Sequence, residues 1–280
     1  RSLVWVQGTD AAGSDGPPAA ARVQVYAPAA VGTLGGVVRS VASGLPLAGA
    51  RIDAGNWQAS SAADGSYVRR LPAGNYDLSA SAAGFEPLTV PALSVTGGGT
   101  LTRDLSLFAL CRVLGTDAES SPAGWSAQAP WAISAGATTQ TGSRAWLESP
   151  GNYANNANTS LVSPTIDLVG YSVPQLSFDS WCDTESGWDF GNVEYSLDGG
   201  STWSTPAWRC NGDASLRHVV LDLPALAGIA QAKIRFRFTS DTSVVRDGWY
   251  VDNIALDAGG PTCRATQGAG NAVFASGFEP

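Results

Sequence analysis

Hydrophobic and polar residues alternate along short runs of this chain, and the three-to-four spacing of a helix is nearly absent. Arg22-Val23-Gln24-Val25-Tyr26 and Lys233-Ile234-Arg235-Phe236-Arg237-Phe238 have the two-residue period that sends successive side chains to opposite faces of a strand. Gly, Pro, Asn and Asp punctuate the runs where the chain must reverse. The pattern predicts an all-β protein. One stretch, Leu223 to Gln231, could hold a turn or two of helix, limited by Pro224 and Gly228.

The punctuation also suggests an organisation. Leu3 to Val6 and a run ending at Ala27-Pro28 read as two strands around a turn-rich TDAAGSDGPPA. A lone hairpin is marginal in water, and residues 1–29 resemble the closing hairpin of an immunoglobulin-like or fibronectin-like domain. Over 30–108 the turns are explicit: Gly44 and Pro46 turn the chain before Ala50-Arg51-Ile52, Asp64-Gly65 makes a tight hairpin, and Pro72 to Gly74 turns again before Tyr76 and Leu78. Tyr67, Leu71, Tyr76, Leu78 and Phe85 are the expected core. Gly97-Gly98-Gly99 reads as a loop before a final strand, Leu101 to Leu107. The stretches GTLGGVVRSVASGLPLAGARIDAG and ADGSYVRRLPAGNYDLSASAAGFEPLTV resemble a carboxypeptidase regulatory-like domain, which implies a transthyretin-type β-sandwich.

Residues 109–263 carry other motifs. DSWCDTESGWDFGNVEYSLDGGSTW and IRFRFTSDTSVVRDGWYVDNIAL, with Trp125, Ala145-Trp146 and the strand LVSPTIDL at 161–168, resemble the MAM-like β jelly rolls appended to secreted bacterial peptidases. That resemblance implies a noncatalytic accessory region, acting in stabilisation, spacing or attachment, whose partners are the parent protein's catalytic domain and a cell-surface glycan or protein. Four cysteines allow three connectivities. The expected one is Cys111 with Cys263, joining the ends of the jelly roll, and Cys182 with Cys210, flanking the hairpin between them. The tail, 264–280, is too rich in Gly and Ala to build a core. It resembles the Phe-X-X-Gly-Phe-Glu endings of some exported bacterial proteins, with a disordered terminus as the alternative.

Charge and composition narrow the function classes. With 24 Asp and Glu against 16 Lys and Arg, the formal net charge is -8, which argues against nucleic acid or an anionic membrane as partner. No apolar run approaches the roughly 18 residues of a membrane helix. Methionine is absent and Arg1 opens in mid-pattern, so a processed chain or fragment is expected. Lys233 is the only lysine, as in high-GC bacterial coding. One histidine and no Cys-X-X-Cys spacing argue against zinc and for disulfides in a secreted or cell-surface bacterial protein.

Candidate chemistry is sparse. Ser196-Leu197-Asp198-Gly199-Gly200-Ser201-Thr202-Trp203 fits the Asp-box pattern and is intelligible as a hairpin. His218, in a strand-like run, has no nucleophile motif beside it and is expected to be an exposed strand residue. Glu185 and Asp189 could be imagined as a glycosidase pair, but the resemblance is to noncatalytic modules, so turn or calcium ligands are the preferred reading. Asp252 alternates in register with Tyr250, Ile254 and Leu256, which would put a carboxylate on an apolar face. Its compensation is either calcium, with Asp247, Glu185 and Asp189 as further oxygen ligands, or an arginine (Arg235, Arg237 or Arg246) or backbone N–H groups. Trp181, Trp188, Trp203 and Trp249 fall in the jelly-roll motifs and read as core. Trp57, Trp131 and Trp208, beside polar or Pro-containing loops, are the candidate glycan contacts of a carbohydrate-binding or adhesion module.

Overall fold

The computed structural model describes residues 2–6, 19–23, 27–135 and 142–267, the first two stretches and residues 28 and 213 by backbone alone. The chain is all-β and divides into two compact units, residues 1–83 with 87–107 and residues 84–86 with 108–280. At its start β1 (Ser2–Val6) and β2 (Ala19–Val23) pair antiparallel, Ser2 opposite Val23. The turn of that hairpin and the Phe-X-X-Gly-Phe-Glu ending lie outside the described residues.

The first unit is a sandwich of two four-stranded sheets. Its strands are β3 (Val31–Ser40), β4 (Arg51–Ala54), β5 (Trp57–Ser60), β6 (Ser66–Pro72), β7 (Gly74–Ser81), β8 (Leu88–Val95), β9 (Thr100–Thr102) and β10 (Leu105–Leu107). One sheet has β3 between antiparallel β6 and the parallel pair β9 and β10, and the other runs β5-β4-β7-β8. Alternation supplies the core: Leu34, Val38, Ile52, Tyr67, Leu71, Leu78, Leu105 and Leu107 are all buried. The Asp64-Gly65 hairpin is specified sterically. Gly65 has φ +76°, and a Cβ there would lie 2.5 Å from the Val38 carbonyl oxygen.

Two expected core residues sit elsewhere. Tyr76 is half-buried and donates its hydroxyl to the Pro72 carbonyl at 2.8 Å. Phe85 is half-buried and belongs to the second unit, where it bridges Ala109 while the Glu86 amide donates to Phe108 O. The final strand is also broken, at Arg103-Asp104, into β9 and β10.

The second unit is a two-sheet jelly roll built from β11 (Cys111–Thr116), β12 (Ser126–Ala127), β13 (Ala132–Ala135), β14 (Arg144–Leu147), β15 (Asn158–Val162), β16 (Ser172–Asp183), β17 (Phe190–Ser196), β18 (Trp208–Cys210), β19 (Asp213–Asp222), β20 (Lys233–Thr239) and β21 (Gly248–Gly259), closed by α1 (Pro261–Thr266). A six-stranded sheet runs β13-β14-β21-β16-β19, with β11 also on β21, and a five-stranded sheet runs β12-β15-β20-β17-β18. Aromatic rings fill the space between them. Phe236 lies 5.3 Å from Phe178 and 5.8 Å from Trp249. The 223–231 stretch holds one 3-10 turn, Pro224–Leu226.

Disulfides close both ends of this unit. Cys111–Cys263 joins β11 to α1, and Cys182–Cys210 joins β16 of one sheet to β18 of the other. Cross-links of this kind typically contribute about 2–4 kcal/mol. The tail begins later than expected, because Arg264 pairs with Glu86, itself 4% exposed, and Gln267 donates to the Ala109 carbonyl at 2.6 Å.

Candidate functional site

Three carboxylates converge at one end of the five-stranded sheet. Glu185 and Asp189 lie in the loop between β16 and β17, and Asp241 follows β20. Because Phe190 of β17 pairs with Thr239 of β20, the loops flanking those residues meet. Carboxylate oxygens of Glu185, Asp189 and Asp241 lie within 4.8 Å of one another.

The surroundings hold this cluster firmly. Asp189 is fully buried, accepting the Tyr153 hydroxyl at Oδ2 (2.5 Å) and the Asp241 amide at Oδ1 (2.8 Å). Asn211 ties the loop with Nδ2 to the carbonyls of Glu185 (3.1 Å) and Asp189 (2.7 Å) and Oδ1 to the Gly187 amide (2.7 Å). Glu185 Oε2 is buried without a hydrogen-bond partner. Burial first, then Asp241 and Asp189, raise the Glu185 pKa, and Arg246 partly offsets them. Crowded hard oxygens with one unpartnered fit a divalent cation such as calcium.

Asp247 and Asp252 lie outside this cluster. Asp247 accepts the Tyr250 hydroxyl. Asp252 pairs in register with Asp179, and the alternation expected for it breaks at Asn253, which has φ +49° at a bulge opposite Phe178. Ile254 and Leu256 therefore join the core while Asp252, two residues earlier, faces Asp179 on the other side of the sheet. It is nonetheless 2% exposed; Oδ1 accepts the Asn253 amide at 2.8 Å, Oδ2 has no partner, and burial pushes its pKa up to about 6. None of Arg235, Arg237 and Arg246 pairs with it; Arg235 and Arg237 are taken by Glu194. His218 is an exposed residue of β19, as expected, and it has a partner. Its Nδ1 lies 2.7 Å from Asp179 Oδ1.

Glu148 was not legible as special. Fully buried just after β14, it accepts the Thr159 hydroxyl at 3.3 Å through Oε1, leaves Oε2 unpartnered and is pushed up to about 7 by burial. Tyr153 and Asn211 were missed as well, since a phenol and an amide in loops give no sequence signal for their partners.

The tryptophans are redistributed. Trp131 is 4% exposed, edge-on to Trp249 at 5.7 Å, so its ring is core and offers no face to a sugar. Trp188, expected inside, is 63% exposed on the carboxylate loop. Trp57 is half-buried under Arg69, 5.8 Å from its ring. Trp208, half-buried on Trp249 and Phe178, lines a groove of about 270 Å³ between the edge strands β18 and β19. Ser180, Arg209, Asn211, Ser215 and Arg217 line the rest with the Cys182–Cys210 bridge.

Catalytic geometry is poor. Opposed glycosidase carboxylates stand about 5–9.5 Å apart with the sugar between them, whereas Glu185 and Asp189 crowd together and Asp189 is spent on Tyr153. The Asp-box segment is a hairpin: Asp198 Oδ1 accepts the Ser196 hydroxyl and the Thr202 amide, Oδ2 accepts the Thr202 hydroxyl, and these bonds lower its pKa to about 2.

Comparisons with known proteins give partial matches. Among solved structures, the K3 cleaved adhesin domain of Lys-gingipain from Porphyromonas gingivalis W83 has a TM-score of 0.40 at 17% identity, covering 53% of this chain and 99% of that one. A family 22 carbohydrate binding module of Clostridium thermocellum has a TM-score of 0.38 at 15% identity, covering 53% and 95%. Bacillopeptidase F of Bacillus subtilis (strain 168) is 31% identical over 148 residues, 50% of this chain and 10% of that protein, so the chain spans a tenth of the relative's length. Residues 33–108 match the model of the carboxypeptidase regulatory-like domain.

Proposed function

We propose that the chain is a noncatalytic accessory region of a secreted bacterial multi-domain protein, with a peptidase as parent, and that its MAM-like jelly roll attaches that protein to carbohydrate. The observation that carries attachment is the groove beside Trp208. It combines an indole with hydroxyl, amide and guanidinium groups, the chemistry that recognises sugars. The identity shared with Bacillopeptidase F supports the peptidase parent. Among the described residues no helix is long and apolar enough to cross a membrane.

Ser215 is exposed at the groove, so Ser215→Trp fills it without disturbing the core. On a glycan array the unsubstituted chain binds a restricted set of glycans and Ser215→Trp binds none of them. Equal binding by both chains removes the groove from the reading. A second reading, a stabilising spacer, is favoured by the Cys111–Cys263 bridge closing the jelly roll; a chain that binds no glycan leaves that one.

Calcium enters the proposal as a structural ion. Glu185, Asp189 and Asp241 would hold it, and the chemistry it supplies is charge neutralisation at the loop.

A further inference from the structure

The outward face of the five-stranded sheet concentrates positive charge in an acidic protein. Val193, Ile234, Phe236 and Phe238 point into the core, so their strand neighbours point away from it. Arg209 of β18 pairs in register with Asn192 of β17, which pairs with Arg237 of β20, and in the next row Glu194 pairs with Arg235. Lys233 completes the face opposite Ser196. Four of the chain's 16 cations thus share one sheet face with a single carboxylate at the strand positions, leaving three in excess where the whole chain carries -8.

These guanidinium groups are held in place. Each is fixed through Nε: Arg209 by Asn192 Oδ1 at 2.8 Å, Arg237 by Asn158 Oδ1 at 2.8 Å, and Arg235 by Glu194 Oε2 at 2.7 Å. Arg209 also lies 4.5 Å over the Phe190 ring and Arg235 4.2 Å over Trp203. Among the described residues no hydrogen bond occupies the Nη groups of Arg209, while Arg237 shares Glu194 with Arg235, its Nη1 3.6 Å from Glu194 Oε1. Planar, preorganised guanidinium forks match carboxylates, with less entropy lost per bond than a lysine would lose.

Resting on the carbohydrate reading above, we infer that the ligand is an acidic polysaccharide, a polymer of uronate sugars, whose carboxylates pair with Arg209 and Arg237 while its sugars lie along the groove at Trp208. Arg209 joins the two surfaces, since it belongs to the arginine row and also walls the groove. Along β20 like-facing residues are about 6.6 Å apart, and β18 and β20 are two strand spacings, about 9.6 Å, apart. A polymer with one carboxylate per sugar can meet several of these points. Nucleic acid is disfavoured, because its dense phosphates would meet the acidic remainder of the chain.

The test uses the whole chain in affinity electrophoresis with polygalacturonate, alginate and hyaluronate, each beside an esterified, uncharged form of the same polymer. At least one acidic polymer should bind, about tenfold or more tightly than its ester, with affinity falling as salt rises. Arg209→Gln and Arg237→Gln should each lose about tenfold on the acidic form while melting as the unsubstituted chain does. Equal binding to the ester, or unchanged binding by both variants, overturns the arginine row and leaves the groove reading standing. Binding to none of the three, or equal binding to polyglutamate or DNA, overturns the inference outright.

Discussion

The Tyr153 hydroxyl donates to the buried Oδ2 of Asp189 at 2.5 Å and accepts the amide of Glu185 at 3.0 Å. One phenol thereby sets two of the three carboxylate positions, while its ring packs 4.8 Å from Phe238. Tyr153→Phe keeps the ring and removes both bonds, with the longer 3.3 Å contact of the hydroxyl to the Val244 carbonyl. The expected loss is about 1–3 kcal/mol, the cost of leaving a buried polar group unpaired, measured by urea unfolding. An unchanged midpoint would mean that Asn211 and Thr184 order the loop without the phenol.

Calcium at Glu185, Asp189 and Asp241 would stabilise the folded state by mass action, by about 2.7 kcal/mol at a hundredfold excess over Kd. Thermal melting should therefore rise with calcium and fall back with chelator. Glu185→Gln should abolish the response. Melting curves that ignore both calcium and chelator remove the ion from the account.

Two buried carboxyls make stability depend on pH in a defined sense. Glu148 and Asp252 have folded-state pKa values raised from 4.5 and 3.8 to about 7 and about 6, in both cases chiefly by burial. A raised pKa means that the folded state binds protons more tightly, so their contribution is fully present below the unfolded values and is lost as pH rises through 6 to 7. Asp198 works oppositely, and its contribution disappears only as pH falls toward about 2. Between pH 4.5 and 7.5 the jelly roll should lose stability, and Glu148→Gln should flatten that slope. A slope unaffected by Glu148→Gln would place the titrating group elsewhere.

Tryptophan replacement separates core from surface. Trp131→Ala should cost about 3–5 kcal/mol, as other large-to-small core changes do. Trp188→Ala, at a ring 63% exposed, should stay within about 0.5 kcal/mol. Comparable losses at both positions would contradict the packing of Trp131 on Trp249.

Strand periodicity carried much of the fold, because runs such as β20, with Ile234, Phe236 and Phe238 buried and Lys233, Arg235 and Arg237 not, obey an uninterrupted two-residue alternation. It failed at Asp252 for a specific reason. The bulge at Asn253 shifts the strand's phase, and nothing in YVDNIAL announces it. Glu185 and Asp189 were legible as a pair because they share one loop. Asp241 lies far along the chain from them, and its place in the cluster depends on β17 and β20 being neighbours, a long-range fact. The exchange of Trp131 for Trp188 has the same origin, since loop composition does not tell which ring a distant strand will cover.

Attachment without catalysis is tested most directly by co-sedimentation of the whole chain with insoluble polysaccharide, assaying the supernatant for both protein and released sugar or peptide. The account predicts saturable depletion of the protein, lost in Ser215→Trp, with no product released. Protein that stays in solution with every polysaccharide, or product whose release ceases in Glu185→Ala, would contradict it.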